Sequence, residues 1–316
     1  MLRTRSLAGF FLSLYSASCG GDAGGGDTVG EMAESDGEMR DAEGETVDAE
    51  AGDESGETAP VACNGSTHLC DRRYDQVAYP TTHNAMSNAD DGWIAPNQNH
   101  GISRQLEDGV RALMLDTHDD AGQTMLCHGY CWAGSKPLAE GLREIAAFLQ
   151  THPREVVTII FESYVTAAAT ATAFEDAALP DLLFVPPPSG PWPTLGAMVD
   201  AGTRLVVFTD NEGGAYPWYL DVWSWAWETD FDNQTPRDFS CARNRGSDGN
   251  LLFIFNHFLT NPVANPDLAE QVNYNPLLID RLHECQAGSG RLPNFVTVDF
   301  YDLGDLFAAV NALNAP

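Results

Sequence analysis

The strongest constraint on this chain is a recurring short run of β-favouring apolar residues that ends on an ionisable or amide side chain. Val156-Val157-Thr158-Ile159-Ile160-Phe161 is followed by Glu162, and Arg111–Asp116, Arg204–Thr209, Leu251–Phe255 and Phe295–Phe300 follow the same plan. Runs that are apolar at successive positions suit strands covered on both faces, as in a parallel sheet. Gln76–Pro80 and Thr124–Cys127 bring the strand candidates to seven. Between them lie helical patterns. Lys136–Thr151 carries Leu138, Leu142, Ile145, Ala146 and Leu149 at helical spacing and stops before Pro153; Pro276–Cys285 and Asp305–Leu313 read the same way. Alternating strand and helix over about 250 residues predicts one α/β domain, residues 61–316, folded as a distorted (β/α) TIM-type barrel. An eighth strand is unrecognised or missing. Chemistry in such barrels gathers at the C-terminal ends of the strands. The polar residues there are His83, Asp116, His128, Glu162, Asp210, Asn256, His257 and Asp299, a set that points to an enzyme.

The preceding residues are of another kind. Arg3 and Arg5, the apolar segment Leu7–Tyr15 and the small residues Ser16-Ala17-Ser18 before Cys19 form an export signal over residues 1–19. Cys19 resembles the lipidated cysteine of bacterial lipoproteins and is a candidate membrane tether, although Ser16 stands where a leucine is usual. Residues 20–60 hold fourteen acids, one arginine and no aromatic, so nothing offsets the entropy of ordering them; they read as a disordered, self-repelling linker. The whole chain carries a formal charge of −30, and the body after residue 60 retains about −19. Such acidity excludes nucleic-acid binding, and no apolar stretch is long enough for a bundle of membrane-spanning helices. An exported chain, at the cell surface or secreted, with six cysteines beyond Cys19 is best read as disulfide-bonded. Fifteen connectivities are open; the pairs Cys63–Cys70, Cys127–Cys131 and Cys241–Cys285 are favoured, and no Cys-x-x-Cys spacing argues for zinc.

Two other segments invite functional readings. His118, Asp119 and Asp120 read as a solvated loop, with Asp119 able to point into the barrel mouth. In the aromatic run Tyr216–Trp227, Trp223, Trp225 and Trp227 alternate as strand residues would and are expected to pack one face of a core.

Three segments together, Thr82-His83-Asn84-Ala85-Met86, Gly109–Asp116 and Leu126-Cys127-His128-Gly129, with Ile160-Phe161-Glu162 after a helix, resemble the X domain of phosphatidylinositol-specific phospholipase C. The likeness spans roughly residues 74–313 and is greater still to the stand-alone exported phosphodiesterases of that family, which Cys241–Gly249 and Pro293–Tyr301 also resemble. The resemblance implies a phosphoric diester hydrolase acting on a phospholipid or related diester. His83 would be the general base and His128 the acid that protonates the leaving alcohol. In-line displacement at phosphorus needs both, and imidazoles titrating near neutrality supply them. Asp299 would orient His83 through the far ring nitrogen. Metal-free family members stabilise the phosphoryl oxygens with an arginine, but Asp116 occupies its position here. Calcium-dependent members use an Asn and three acids; Asn84, Asp116 and Glu162 match three of these four, and Met114 replaces the last. A weakened Ca2+ or Mg2+ site is the expectation. As isolated residues, Asp116 and Glu162 would simply pair with arginines such as Arg111.

Glycerophosphodiesterase or sphingomyelinase D-type barrels are the alternative enzyme, and a surface protein that kept the barrel but binds without turnover is the alternative to catalysis. The acidic body disfavours an anionic lipid surface, so a zwitterionic lipid, a glycosyl-phosphoinositide or a soluble diester fits at least as well as substrate.

Overall fold

With one exception, successive barrel strands pair with their neighbours in the sequence, and the last returns to the first. In the computed structural model, which describes residues 61–187 and 190–316, the strands are β1 (Tyr79–Thr82), β2 (Ala112–Asp120), β3 (Gln123–Leu126), β4 (Lys136–Pro137), β5 (Val157–Ser163), β6 (Leu205–Thr209), β7 (Tyr219–Asp221), β8 (Ala226–Thr229), β9 (Arg243–Gly246), β10 (Leu252–Asn256) and β11 (Phe295–Val298). The helices are α1 (Ile102–Glu107), α2 (Leu138–Thr151), α3 (Ala167–Asp176), α4 (Leu195–Ala201), α5 (Val222–Trp225), α6 (Pro266–Val272), α7 (Leu277–Ser289) and α8 (Leu306–Leu313). Parallel ladders join β7, β6, β5, β2, β1, β11, β10 and β8 in that order. Among the described residues no ladder joins β7 to β8, so the expected TIM-type barrel is present but open along one seam, where α5 makes the connection. The export segment, Cys19 and the acidic linker lie outside the described residues.

Two-sided burial accounts for the continuous apolar runs. In β5, Val157, Ile159 and Phe161 belong to the same cluster as Leu142 and Leu149 of α2 and Phe174 of α3. Ile160 faces the other way, into a cluster with Val206 and Phe208 of β6, Ile254 of β10 and Phe295 of β11. The two-residue period of a strand then places Glu162 above Ile160, Asp116 above Met114 and Asp210 beyond Phe208, all at the inner mouth. The site is thus a consequence of strand register.

Six of the seven strand candidates contribute to the barrel, with shifted ends. Gln76–Pro80 is displaced, since Tyr74–Gln76 is a 3-10 turn and the ladder begins at Tyr79. Thr124–Cys127 is not a barrel strand; β3 folds back on β2 as an antiparallel hairpin. That hairpin also corrects the reading of His118, Asp119 and Asp120 as a loop, because all three lie in β2, paired with Met125, Thr124 and Gln123. The two unrecognised barrel strands, β7 and β8, both begin inside the aromatic run. The tryptophans there do not share one strand: Trp223 and Trp225 lie on α5, and only Trp227 is in a strand, stacked on Phe253 at 3.8 Å. Three disulfides form, Cys63–Cys70, Cys127–Cys131 and Cys241–Cys285, as favoured from the sequence.

The β8–β9 hairpin is held by a close backbone approach. Gly246 has φ +85°, and a Cβ there would lie 2.3 Å from the Ala226 carbonyl oxygen and 2.6 Å from Trp227 Cα. Gly246→Ala is therefore expected to cost about 2 kcal/mol or more. The thermal unfolding midpoint should fall by about 4 °C or more, as read by calorimetry.

Candidate active site

The first and last barrel strands meet in register, Thr82 opposite Val298, and deliver the next residues to the mouth together. His83 continues the ladder, its backbone N–H donating to the Val298 carbonyl. Its ring Nδ1 lies 2.9 Å from Asp299 Oδ1. Asp299 is buried and also accepts from Asn97 Nδ2 at 3.0 Å, while its Oδ2 has no partner. A carboxylate on Nδ1 fixes the tautomer that leaves Nε2 facing the mouth. Phe258 lies flat against the imidazole, centroids 3.9 Å apart and planes within 8°. Gln98 Nε2 donates to the carbonyl oxygens of both His83 and Val298, locking the two strand ends. Asn84 and Phe300, the residues after His83 and Asp299, have φ of 46° and 48°. Such left-handed backbone is costly for a phenylalanine and clusters at functional sites.

His128 follows Cys127 at the end of the β3 hairpin and reaches the same opening. The two imidazoles stand edge to face, centroids 6.5 Å apart at 73°. Both line a broad groove of about 670 Å³ with Tyr130, Trp132, Tyr164 and Val263 at its rim. Desolvation in the mouth, followed by the neighbouring His83, lowers the His128 pKa below the usual 6.5.

A second, deeper cavity of about 60 Å³ adjoins the groove and shares His83, Asn84, Asp116, Glu162 and Phe258 with it. Asp116 and Glu162 sit opposite each other across β2 and β5. Asp116 is buried, and burial together with the charges of Glu162 and Asp210 holds its pKa well above the carboxylate range. Among the described residues it has no arginine partner: Arg111 instead pairs with Glu155 at 2.6 Å. As placed, the Asn84 carbonyl oxygen faces both Asp116 oxygens at 3.1 and 3.3 Å, and its NH2 faces His83 Nε2 at 3.1 Å. Turning the amide over lets the NH2 donate to Asp116 and, in the imidazolium form of His83, the oxygen accept from Nε2–H. The unturned arrangement, oxygen against oxygen, is one that a cation reconciles. Glu162 also accepts from the Tyr164 hydroxyl.

Several lining residues carried no clear sequence signal. Glu228, almost fully buried on β8, accepts from Arg245 of β9 and from Asn256 Nδ2 at 3.1 Å. The Arg245 guanidinium is clasped between Trp223 and Phe231, 4.3 and 4.7 Å from their centroids. Among the described residues it is the one Lys or Arg lining the deep cavity. Burial raises the pKa of Glu228 despite Arg245, and burial raises that of Asp210 despite the Ser163 N–H it accepts at 2.9 Å. Asn256 lines the cavity, whereas His257 does not: it is buried against Arg281, and burial lowers its pKa to about 3. His118 lines the groove, stacked on Tyr164 at 4.4 Å. Asp119 points away into the hairpin turn, accepting from the Gly122 N–H at 3.3 Å.

Among known proteins, the PI-PLC X domain family (PI-PLC X 1) matches residues 69–314, and the chain belongs to that family. It is 33% identical to a PI-PLC X domain-containing protein of Arabidopsis thaliana over 77% of this chain and 63% of that protein, so it spans under two thirds of that relative. It is 29% identical to PI-PLC X domain-containing protein 1 of Arthroderma benhamiae over 80% of this chain and 90% of the relative. An uncharacterized secreted protein of the same fungus is 28% identical over 78% of this chain and 62% of its own length. In fold the chain is similar to the phosphatidylinositol-specific phospholipase C of Staphylococcus aureus, with a TM-score of 0.56 at 13% identity, covering 78% of this chain and 95% of that one.

An acid whose pKa is raised by folding binds its proton more tightly folded than unfolded, so its charge opposes folding once the pH exceeds the unfolded value. Asp116→Asn is therefore expected to raise the thermal midpoint at pH 7, with the gain shrinking as the pH is lowered through the ordinary carboxylate range. Equal midpoints at pH 7 would show that Asp116 bears no buried, uncompensated charge.

Proposed function

We propose that this protein is an exported phosphoric diester hydrolase of the phospholipase C type, using His83 as general base and His128 as general acid. The observation that carries the reading is the facing pair of imidazoles in one mouth, 6.5 Å between centroids, one of them backed by a buried carboxylate. Displacement at phosphorus removes a proton from the entering oxygen and returns one to the departing oxygen, and the two rings stand on either side of a space that one phosphoryl group can share. Asp299 holds His83 with Nε2 toward the nucleophile and stabilises the imidazolium once formed. The Phe258 face supports that cation. Where the substrate carries a hydroxyl beside the phosphate, attack is internal and the first product is a cyclic phosphate.

The donor set at the deep cavity suits a loosely held divalent cation. Asn84, Asp116 and Glu162 would hold it, with water completing the six to eight oxygens that calcium takes. Met114, a thioether lining the cavity, contributes no hard oxygen, and among the described residues no group of three or more acidic, histidine or cysteine ligands forms. When bound, the ion would neutralise charge on the phosphoryl oxygens. The substrate is a zwitterionic lipid, a glycosyl-phosphoinositide or a soluble diester, since a body of charge near −19 resists an anionic membrane. Three disulfides and a relative described as secreted support export; tethering through Cys19 is part of the same proposal.

His128→Ala should lower kcat on an alkyl phosphodiester by about 10²–10⁴-fold, with retained folding by circular dichroism. Undiminished turnover in that variant would refute the acid assignment. Because His128 must be protonated to act and its pKa is lowered, the alkaline limb of kcat/KM is expected below pH 6.5. Calorimetric titration with calcium should give a dissociation constant of about 10⁻⁴–10⁻³ M, abolished by Glu162→Ala. The same heat signal in that variant would remove Glu162 from the donor set. Release of a phosphorylated headgroup, rather than a free alcohol headgroup, separates this reading from a D-type diesterase.

A further inference from the structure

The two histidines are held in unlike ways. His83 is fixed by Asp299, Asn84 and the Phe258 ring. The His128 ring takes no hydrogen bond from any described residue, and its only close aromatic neighbour is His83. What fixes it is the backbone that bears it. Cys127 is fully buried and donates its N–H to the Asp116 carbonyl, continuing the β2–β3 hairpin. Gly129 turns the chain with φ +72°, and the Tyr130 N–H closes back onto the His128 carbonyl at 2.8 Å. Cys131 then opens a 3-10 turn, Cys131–Ala133, and packs against the main core cluster. The Cys127–Cys131 bond holds the two Cα atoms 5.0 Å apart and closes this loop around an exposed His128.

We propose that Cys127 and Cys131, through their disulfide, are positioning residues for His128, doing covalently what Asp299 does for His83 by hydrogen bonding. The inference rests on the reading of His128 as general acid. Without the bond, the exposed segment 128–130 regains backbone freedom of roughly 1–2 kcal/mol per residue. A displacement of about 1 Å at the reacting group costs on the order of 10²-fold. The core beneath Cys127 and the hairpin ladder do not depend on the bond, so the barrel survives its loss while the acid drifts.

The leaving group separates this from a general loss of stability. An alkoxide must be protonated as it departs, whereas a nitrophenolate departs without a proton. Cys131→Ser breaks the bond at a half-buried position and leaves the Cys127 sulfur in the core; Cys127→Ala/Cys131→Ser is the second variant, and Cys63→Ala/Cys70→Ser, at the distant disulfide, is the control. Each would be assayed at a temperature well below its unfolding midpoint, with calcium present, on an alkyl and a nitrophenyl phosphodiester sharing one headgroup. Breaking the 127–131 bond should lower kcat on the alkyl diester about 10²-fold and on the nitrophenyl diester less than about 10-fold. The control should leave the ratio of the two rates at its wild-type value. In a His128→Ala background, Cys131→Ser should have no further effect on the alkyl diester, because the bond acts through the ring that is gone. Equal losses on both diesters, no loss on either, or an undiminished Cys131→Ser effect in the His128→Ala background would overturn the proposal. A wild-type protein inactive on both diesters would overturn the hydrolase reading itself, and with it this inference.

Discussion

Everything at the mouth depends on the ladder between the first and last barrel strands. Tyr79–Thr82 pair with Phe295–Val298, and that register alone brings His83 to Asp299 across 216 residues of sequence. The ladder is secured from within the barrel, where Tyr74, Tyr79, Phe208 and Phe295 form a contiguous aromatic cluster. It is secured from above by Gln98, whose amide bridges the carbonyl ends of both strands. A slip of one residue would send every side chain to the opposite face and separate the imidazole from its carboxylate. Joining of the first strand to the last and orientation of the histidine are therefore one structural event.

The mouth is also where the chain tolerates arrangements that a protein shaped only by stability would discard. Asp116 carries a buried carboxyl without a cationic partner, Asn84 and Phe300 occupy left-handed backbone, and Asn97, Asn256 and Asp299 each bury an oxygen with no hydrogen-bond partner. Each feature is destabilising on its own. Their meeting beside one opening supports the proposal that this part of the barrel serves binding and chemistry.

Much of this was legible in the sequence, for a physical reason. Strands such as β5, β6 and β10 are covered on both faces, so their residues form unbroken apolar runs, and the polar residue ending each run falls at the mouth. Asp116, Glu162 and Asp210 are found this way. β7 and β8 escaped because they are three and four residues long and flank a one-turn helix, so the tryptophans of the run mimic the alternation of a strand. Arg245 and Glu228 escaped for a different reason. Their pairing is made across a hairpin of seventeen residues' separation on a short polar strand, where no apolar period announces an inward face. Asn97 sits in a long loop with no periodicity at all, and only the fold shows that it reaches Asp299.

The charge inventory of the deep cavity ties these residues together. Asp116, Glu162, Asp210 and Glu228 face one guanidinium, that of Arg245. A phosphodiester is itself an anion, and two like charges about 4 Å apart repel by about 4 kcal/mol at a protein-surface dielectric. Entry of such a group therefore requires positive charge from elsewhere: a proton on Asp116, the Arg245 donors, or a divalent ion beside Asn84. Protons and metal ions are interchangeable in this respect, since a carboxyl whose pKa is raised is one that favours a bound cation of either kind. On the proposed reading, the buried, acid-flanked Asp116 and the incomplete donor set for a divalent ion are two expressions of the same uncompensated charge. Met114 fits that account: replacing one more acid with an apolar thioether reduces the charge that any proton or ion must balance, at the expense of a hard ligand.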